Sequence, residues 1–205
     1  MRLLPKERLI QTSAVDHADW NYSPVLAYVM RRRFALVRRF LPSQRVDRIL
    51  EIGFGSGVFM PELASHCTEL YGVDIHSRVE EVRERLSAAG VDASLSRQDA
   101  AEMKFPDAYF DVIVCVSSLE FIEDMNGAAR EAARVLKRGG RLIGVMPVKS
   151  RILDAVLHAL TGADPTKDYG ERRERVVPAL KRYFRIDRTS RFVPAYIAYE
   201  MERAA

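Results

Sequence analysis

Apolar residues in this chain follow two alternating rhythms. Five short runs bounded by turn residues read as strands: Arg48–Ile52, Glu69–Ile75, Ala93–Arg97, Phe110–Ser117 and Arg141–Met146. The fourth, Phe110-Asp-Val-Ile-Val-Cys-Val-Ser117, is apolar almost throughout, as a strand covered on both faces should be. Between the runs, apolar positions recur at helical spacing over Val58–Ser65, Ser77–Ala89 and Asn126–Leu136. Ser77-Arg-Val-Glu80 has the form of a capping box, and Gly90 a C-terminal stop. Arg138-Gly-Gly140 supplies the turn into the fifth strand. Such β-α alternation predicts a parallel sheet with right-handed crossovers.

The flanks differ. Ser23-Pro24 predicts a helix start with serine as cap, and Pro42 ends that helix. Beyond Pro147, Ser150–Leu160 and Gly170–Tyr183 read as helices separated by Thr161-Gly-Ala-Asp-Pro165. Phe184–Arg188 and Ala195–Met201 read as strands near enough to pair antiparallel at the sheet edge. The expected fold is an α/β, Rossmann-like, doubly wound sheet of seven strands, mostly parallel with the last antiparallel, and with helices on both faces. One domain should span 1–205: an N-terminal helical lid or substrate segment (1–45), a ligand-binding core (46–147), a helical insertion (148–183) and a closing strand pair (184–205).

Composition changes this picture little. The chain has 205 residues, 48% of them hydrophobic, enough for one buried core. Its longest apolar stretches are too short to span a bilayer, and its first residues lack a signal-peptide core, so a cytoplasmic location is expected. Two cysteines, Cys67 and Cys115, do not make a disulfide framework or a zinc site, and Cys115 reads as a small core residue. The four scattered histidines form no ligand motif, so no metal is expected.

Charge adds more. Net charge is +4, but Tyr28–Leu41 holds five arginines and no acid, and Glu171–Arg191 holds eight basic residues against three acidic. Such clusters are either solvated helix faces or contacts for an anionic partner. In the first, Leu26, Val29, Val37, Phe40 and Leu41 supply an apolar side opposite the arginines, as in an ordinary surface helix.

Chemistry concentrates after the first strand, in Glu51-Ile-Gly-Phe-Gly-Ser-Gly57. Glycines on alternate positions let the backbone turn sharply and approach a ligand closely, and the following helix points its N-terminal amides at the same place. A P-loop needs Lys followed by Ser or Thr after its last glycine, and Val58-Phe59 supplies neither. A dinucleotide turn wants its third glycine one residue later, where Val58 stands.

The spacing Glu51-x-Gly53-x-Gly55-x-Gly57 resembles motif I of the class I S-adenosylmethionine-dependent methyltransferases. The resemblance continues in order through Tyr71-Gly-Val-Asp-Ile75, Arg97-Gln-Asp-Ala100, Phe105-Pro-Asp-Ala-Tyr-Phe-Asp-Val-Ile-Val114 and Ala133-Arg-Val-Leu-Lys-Arg-Gly-Gly-Arg-Leu142. It covers roughly half of the chain and is nearest the type-11 or ubiquinone/menaquinone-biosynthesis group. It implies S-adenosylmethionine as cofactor and S-adenosylhomocysteine as product. Gly53, Phe54, Gly55 and Gly57 would cradle the methionine tail and ribose, with Glu51 at the ligand or supporting the turn from behind. Asp74 would accept from both ribose hydroxyls and Ile75 would pack on adenine. Asp99 and the Ala100 amide would meet the adenine edge, and Ser117 is counted with the cofactor contacts.

Methyl transfer from a sulfonium is an in-line displacement, and a base is needed only if the acceptor must lose a proton. Candidates for the catalytic group are Glu120, His17 and Tyr22. Glu120 lies in Ser117-Ser-Leu-Glu-Phe-Ile122, where Phe121 replaces the histidine usual in the resembling proteins; it either acts on a ligand or makes a structural hydrogen bond. Trp20 and Tyr22 either form an aromatic lid or staple onto the core. The 150–160 segment, apolar over much of its circumference, either buries on the sheet, walls an apolar pocket, or touches a membrane surface with Lys149 and Arg151 meeting lipid phosphates. The expected acceptor is a small or lipid-like molecule. Against RNA stand the missing Asn/Asp-Pro-Pro-Tyr signature after strand four and the lack of an RNA-binding module. A cofactor-binding protein without transferase activity is the remaining alternative.

Overall fold

The computed structural model describes residues 1–14, 16–150, 155, 158–159 and 172–204. Its centre is a seven-stranded sheet: β1 (Val46–Ile52), β2 (Cys67–Asp74), β3 (Ser94–Arg97), β4 (Phe110–Val116), β5 (Leu136–Pro147), β6 (Phe184–Phe192) and β7 (Tyr196–Arg203). Strand order is β3-β2-β1-β4-β5-β7-β6, with β7 antiparallel to both neighbours and the first five strands parallel. The expected architecture is therefore the observed one.

Two apolar layers hold the helices on the sheet. On one side α1 (Ala27–Arg38) packs against β5 and β7, α2 (Met60–Ala64) against β2 and α3 (Val79–Ser87) against β3, with Phe34, Val37, Met60, Leu63, Val82 and Leu86 buried. On the other, α4 (Met125–Val135) and α5 (Arg172–Leu180) cover Leu50, Ile113 and Cys115. The α4 face is mostly alanine (Ala128, Ala129, Ala132 and Ala133 are buried), so its backbone comes close to the sheet. Asp124 caps α4 by accepting from the Gly127 amide at 2.9 Å.

Several boundaries depart from expectation. The Ser77/Glu80 capping box does not form: α3 starts at Val79, and the Arg78 amide donates instead to Nδ1 of His76 at 3.1 Å. Ser23 does accept from the Val25 and Leu26 amides, each at 3.3 Å, but a turn intervenes and regular helix begins only at Ala27. β6 runs on from Arg188 to Phe192, because β7 offers its whole length as a pairing partner. Glu200 of β7 is buried and bonded to Arg141 of β5 and Arg188 of β6, tying three strands across the antiparallel edge. The apolar helix expected over 150–160 lies largely outside the described residues.

Candidate functional site

The order β2-β1-β4 makes the carboxyl end of β1 the place where strand order reverses, and such a point opens a crevice. A cavity of about 860 Å³ lies there, within the roughly 300–1,000 Å³ usual for small-molecule sites. Its floor is the turn after β1. Gly53, Gly55 and Gly57 all have positive φ, at 74°, 50° and 71°. Gly53 is also sterically required, since a Cβ there would lie 2.3 Å from Cβ of Ser118. The Gly53 amide donates to the Val73 carbonyl at 2.8 Å, and the Ser118 hydroxyl to the Ile52 carbonyl at 2.6 Å. Strands β2 and β4 thereby clamp the start of the turn.

Asp74 closes it from the side. One carboxylate oxygen accepts from the Gly55 amide at 2.8 Å, the other from the amides of Ile75 at 2.7 Å and His76 at 3.3 Å. The Arg78 amide occupies Nδ1 of His76, so Nε2 carries the proton and donates to the Gly55 carbonyl at 3.2 Å. Ile75 is 67% exposed, a large apolar side chain left on the cavity rim. Asp99, on the same wall, accepts from the Ala101 amide at 2.8 Å through one oxygen.

Two buried carboxyls face the cavity without hydrogen-bond partners. Glu51, 3% exposed, has an unbonded Oε2, and burial first, then the charge of Asp74, push its pKa up to about 8. Glu120, 1% exposed on the short helical turn Leu119–Phe121, has both oxygens unbonded. Burial pushes it up to about 7, partly opposed by its own backbone amide and then by the charges of Arg33 and Arg173. Arg33 reaches the cavity from α1, and Tyr196 from β7, with the Tyr196 hydroxyl 3.5 Å from Sδ of Met30.

The N-terminal segment forms the roof. Asp16 accepts from the amide and hydroxyl of Thr12 at 3.1 and 2.7 Å, and lies over Gly55. His17 and Trp20 stack at 4.0 Å between ring centres, nearly parallel, and both line the cavity.

A family model described as a methyltransferase domain matches residues 50–144, the span that carries the glycine turn, Asp74, Asp99 and Glu120. Residues 50–144 are thus similar to a methyltransferase domain. Among curated relatives, it is 30% identical over 128 residues to a phosphatidylethanolamine N-methyltransferase of Cereibacter sphaeroides, covering 61% of this chain and 60% of that one. It is 38% identical over 133 residues to a 27-O-demethylrifamycin SV methyltransferase of Amycolatopsis mediterranei, covering 62% and 49%. The chain thus spans between about half and three-fifths of the length of these relatives. A solved S-adenosylmethionine-dependent methyltransferase of Aquifex aeolicus superposes with a TM-score of 0.71 at 16% identity, over 92% of this chain and 99% of that one, and so shares the fold.

Glu51, Gly53, Phe54, Gly55, Asp74, Ile75, Asp99, Ala100, Ser117, Glu120 and His17 all line this cavity. Gly57 stands behind it, beneath Val82 and Leu86 of α3. Tyr22 is corrected. It does not line the cavity; its hydroxyl donates to the Leu4 carbonyl, and the Arg31 guanidinium sits 5.1 Å from its ring centre. It is a staple for the N-terminal segment, because its length reaches back to Leu4 rather than inward. Sequence reasoning missed Ser118, His76, Arg33 and Tyr196. Ser118 and His76 each sit one or two residues past an identified motif position, where a polar residue after a strand end was the available signal. Arg33 and Tyr196 carry no local signal. Cys67 and Cys115 are buried, and burial pushes both thiols up, to about 11 for Cys67. Among the described residues no group of three metal-ligating side chains occurs, and no helix is long and apolar enough to cross a membrane.

Proposed function

We propose that this protein transfers a methyl group from S-adenosylmethionine to a small-molecule or lipid-like acceptor. The observation that carries the reading is the buried, unbonded carboxylate of Glu51 beside a glycine cradle that Asp74 holds in shape. An unpaired buried carboxyl needs a donor, and the methionine tail of the cofactor ends in an ammonium group. Asp74, which accepts from three amides, keeps about one lone pair for a ribose hydroxyl, and Asp99, which accepts from one, keeps room for an adenine amino group. The exposed Ile75 offers the apolar face that a base would cover. When bound, the cofactor supplies an electrophilic methyl on a sulfonium.

The acceptor half of the cavity combines Trp20, Met30 and Phe34 with Glu120. An apolar molecule with one polar nucleophilic atom suits that lining. Glu120, titrating near neutrality, is suited to hold the proton that an amine or hydroxyl acceptor releases. The name of the Cereibacter sphaeroides relative supports a lipid-like acceptor.

Calorimetry with S-adenosylmethionine and then labelled-methyl transfer into lipid and water-soluble cell extracts test the reading. Saturable binding is expected, and Asp74→Ala should weaken it at least about tenfold through lost hydrogen bonds to a charged group. Unchanged affinity in the variant would overturn the assignment of the ribose site.

A further inference from the structure

The outer face of α1 has a composition that its packing does not need. Tyr28, Arg32, Ala35 and Arg39 recur at i, i+4, i+7 and i+11, and so form one stripe pointing away from the buried Met30, Phe34 and Val37. The stripe runs beside β6, the edge strand. Tyr28 meets Phe192 edge-on at 6.0 Å, the Arg32 guanidinium lies 4.9 Å from the Tyr28 ring centre and 5.0 Å from that of Phe192, and Arg39 donates to the Ser190 hydroxyl at 3.1 Å. Three large apolar side chains stand open around this join: Val25 is 71% exposed, Tyr28 65% and Val193 77%.

The cations here are uncompensated. Among the described residues neither Arg32 nor Arg39 has a carboxylate within ion-pair distance, although Arg38 on the neighbouring side pairs with Glu62, and Arg185 and Arg188 pair with Glu202 and Glu200. No acid occurs between Tyr28 and Leu41. Exposed valines and a tyrosine beside a stripe whose guanidinium charges meet rings and hydroxyls but no carboxylate match the interface of an anionic bilayer. Apolar tips enter the headgroup boundary, and arginine stems lie along them with their charges at the lipid phosphates. A single-stranded nucleic acid fits less well. It would need open aromatic faces for its bases, and Arg32 already covers Tyr28 and Phe192.

We propose that the face formed by Val25, Tyr28, Arg32, Arg39 and Val193 docks the protein on the surface of an anionic membrane. The inner side of the same helix lines the cavity through Met30, Arg33 and Phe34, so docking places the candidate acceptor pocket at the lipid surface. The docking itself does not depend on the proposed chemistry, and either can fail alone.

The test is co-sedimentation of the full chain with phosphatidylcholine vesicles, with or without phosphatidylglycerol. Binding should appear only with the anionic lipid and fall as salt rises. Arg39→Gln should weaken it about fivefold, one cation's worth at a charged surface. Val193→Asp, at a side chain too exposed to matter for folding, should weaken it at least as much. Equal partition onto both vesicle types, or full binding by Val193→Asp, would overturn the proposal. So would a single-stranded RNA that binds the protein and displaces it from the anionic vesicles.

Discussion

Glu51 lies in the buried half of β1 between Leu50 and Ile52, and its carboxyl is costly to ionise there. The sign of the consequence follows from proton counts. Between the ordinary carboxylate range and about 8 the folded chain keeps a proton that the unfolded chain has released, so stability falls as pH rises through that window. Glu120 adds the same slope up to about 7. Each group contributes at most about 1.4 kcal/mol per pH unit. Urea unfolding of the ligand-free protein should therefore show lower stability at about pH 8 than at about pH 5, with a shallower decline in Glu51→Gln. An identical slope in the variant would mean that Glu51 is solvated and ionised in the fold. A cation placed against Glu51 reverses the shift, so S-adenosylmethionine binding should release a proton near neutrality and tighten toward pH about 8. Calorimetry in buffers of different ionisation enthalpy reads that proton directly.

At the scale of elements, the joint between β1, β2 and β4 carries the site, and Gly53 is its pivot. Two separable demands meet there: a left-handed φ of 74° and a Cβ-free approach to Ser118. Gly53→Ala should cost about 1–3 kcal/mol from the clash, plus about 1 kcal/mol from φ, and impair cofactor binding. Gly53→Ala with Ser118→Gly removes the clash and leaves the φ strain, so thermal unfolding should show partial recovery; no recovery would assign the whole cost to backbone strain. Half of this joint was legible in the residues alone. Alternate glycines after an apolar run mark a turn whatever the rest of the chain does, and Asp74 ends its own strand at a fixed place relative to them. Ser118 was not legible, because its importance is a contact across two strands. The Ser77/Glu80 box misled for a related reason. A capping box is a local pattern, but α3 starts at Val79, which puts Arg78 rather than Ser77 at the cap, with the Arg78 amide bonded to a His76 that Gly55 holds from another element. β6 was underestimated beyond Arg188 because Thr189-Ser-Arg191 looks like a loop until β7 supplies a partner.

For the whole molecule, what matters is how distant segments close one cavity. The N-terminal segment crosses the sheet and is pinned at several points. The Leu4 amide donates to the Val58 carbonyl at 3.0 Å, the Arg2 amide to Glu62 at 2.6 Å, Arg78 to the Gln11 carbonyl at 2.6 Å, and Tyr22 to Leu4. No periodicity in residues 1–22 announces this, since the path is set by single bonds to α2, α3 and the glycine turn. Trp20 could be read from the sequence as lid or staple with equal force; its place in the cavity wall, stacked on His17, makes it part of the cover, while Tyr22 is the staple. Between these pins Asp16 holds Thr12, while Ala18 is buried in the core and its carbonyl accepts from the Asn21 side chain, so residues 12–14 and 16–17 are the least anchored part of the cover. A ligand under the cover therefore couples its ordering to the stability of the sheet. S-adenosylmethionine at about a hundredfold its dissociation constant should stabilise the fold by about 2.7 kcal/mol. Hydrogen exchange should slow at amides 12–20 together with those of 53–57 and 74–76. Protection confined to 53–57 and 74–76, with 12–20 exchanging as before, would mean that the N-terminal segment does not close over the cofactor and that the acceptor enters past it.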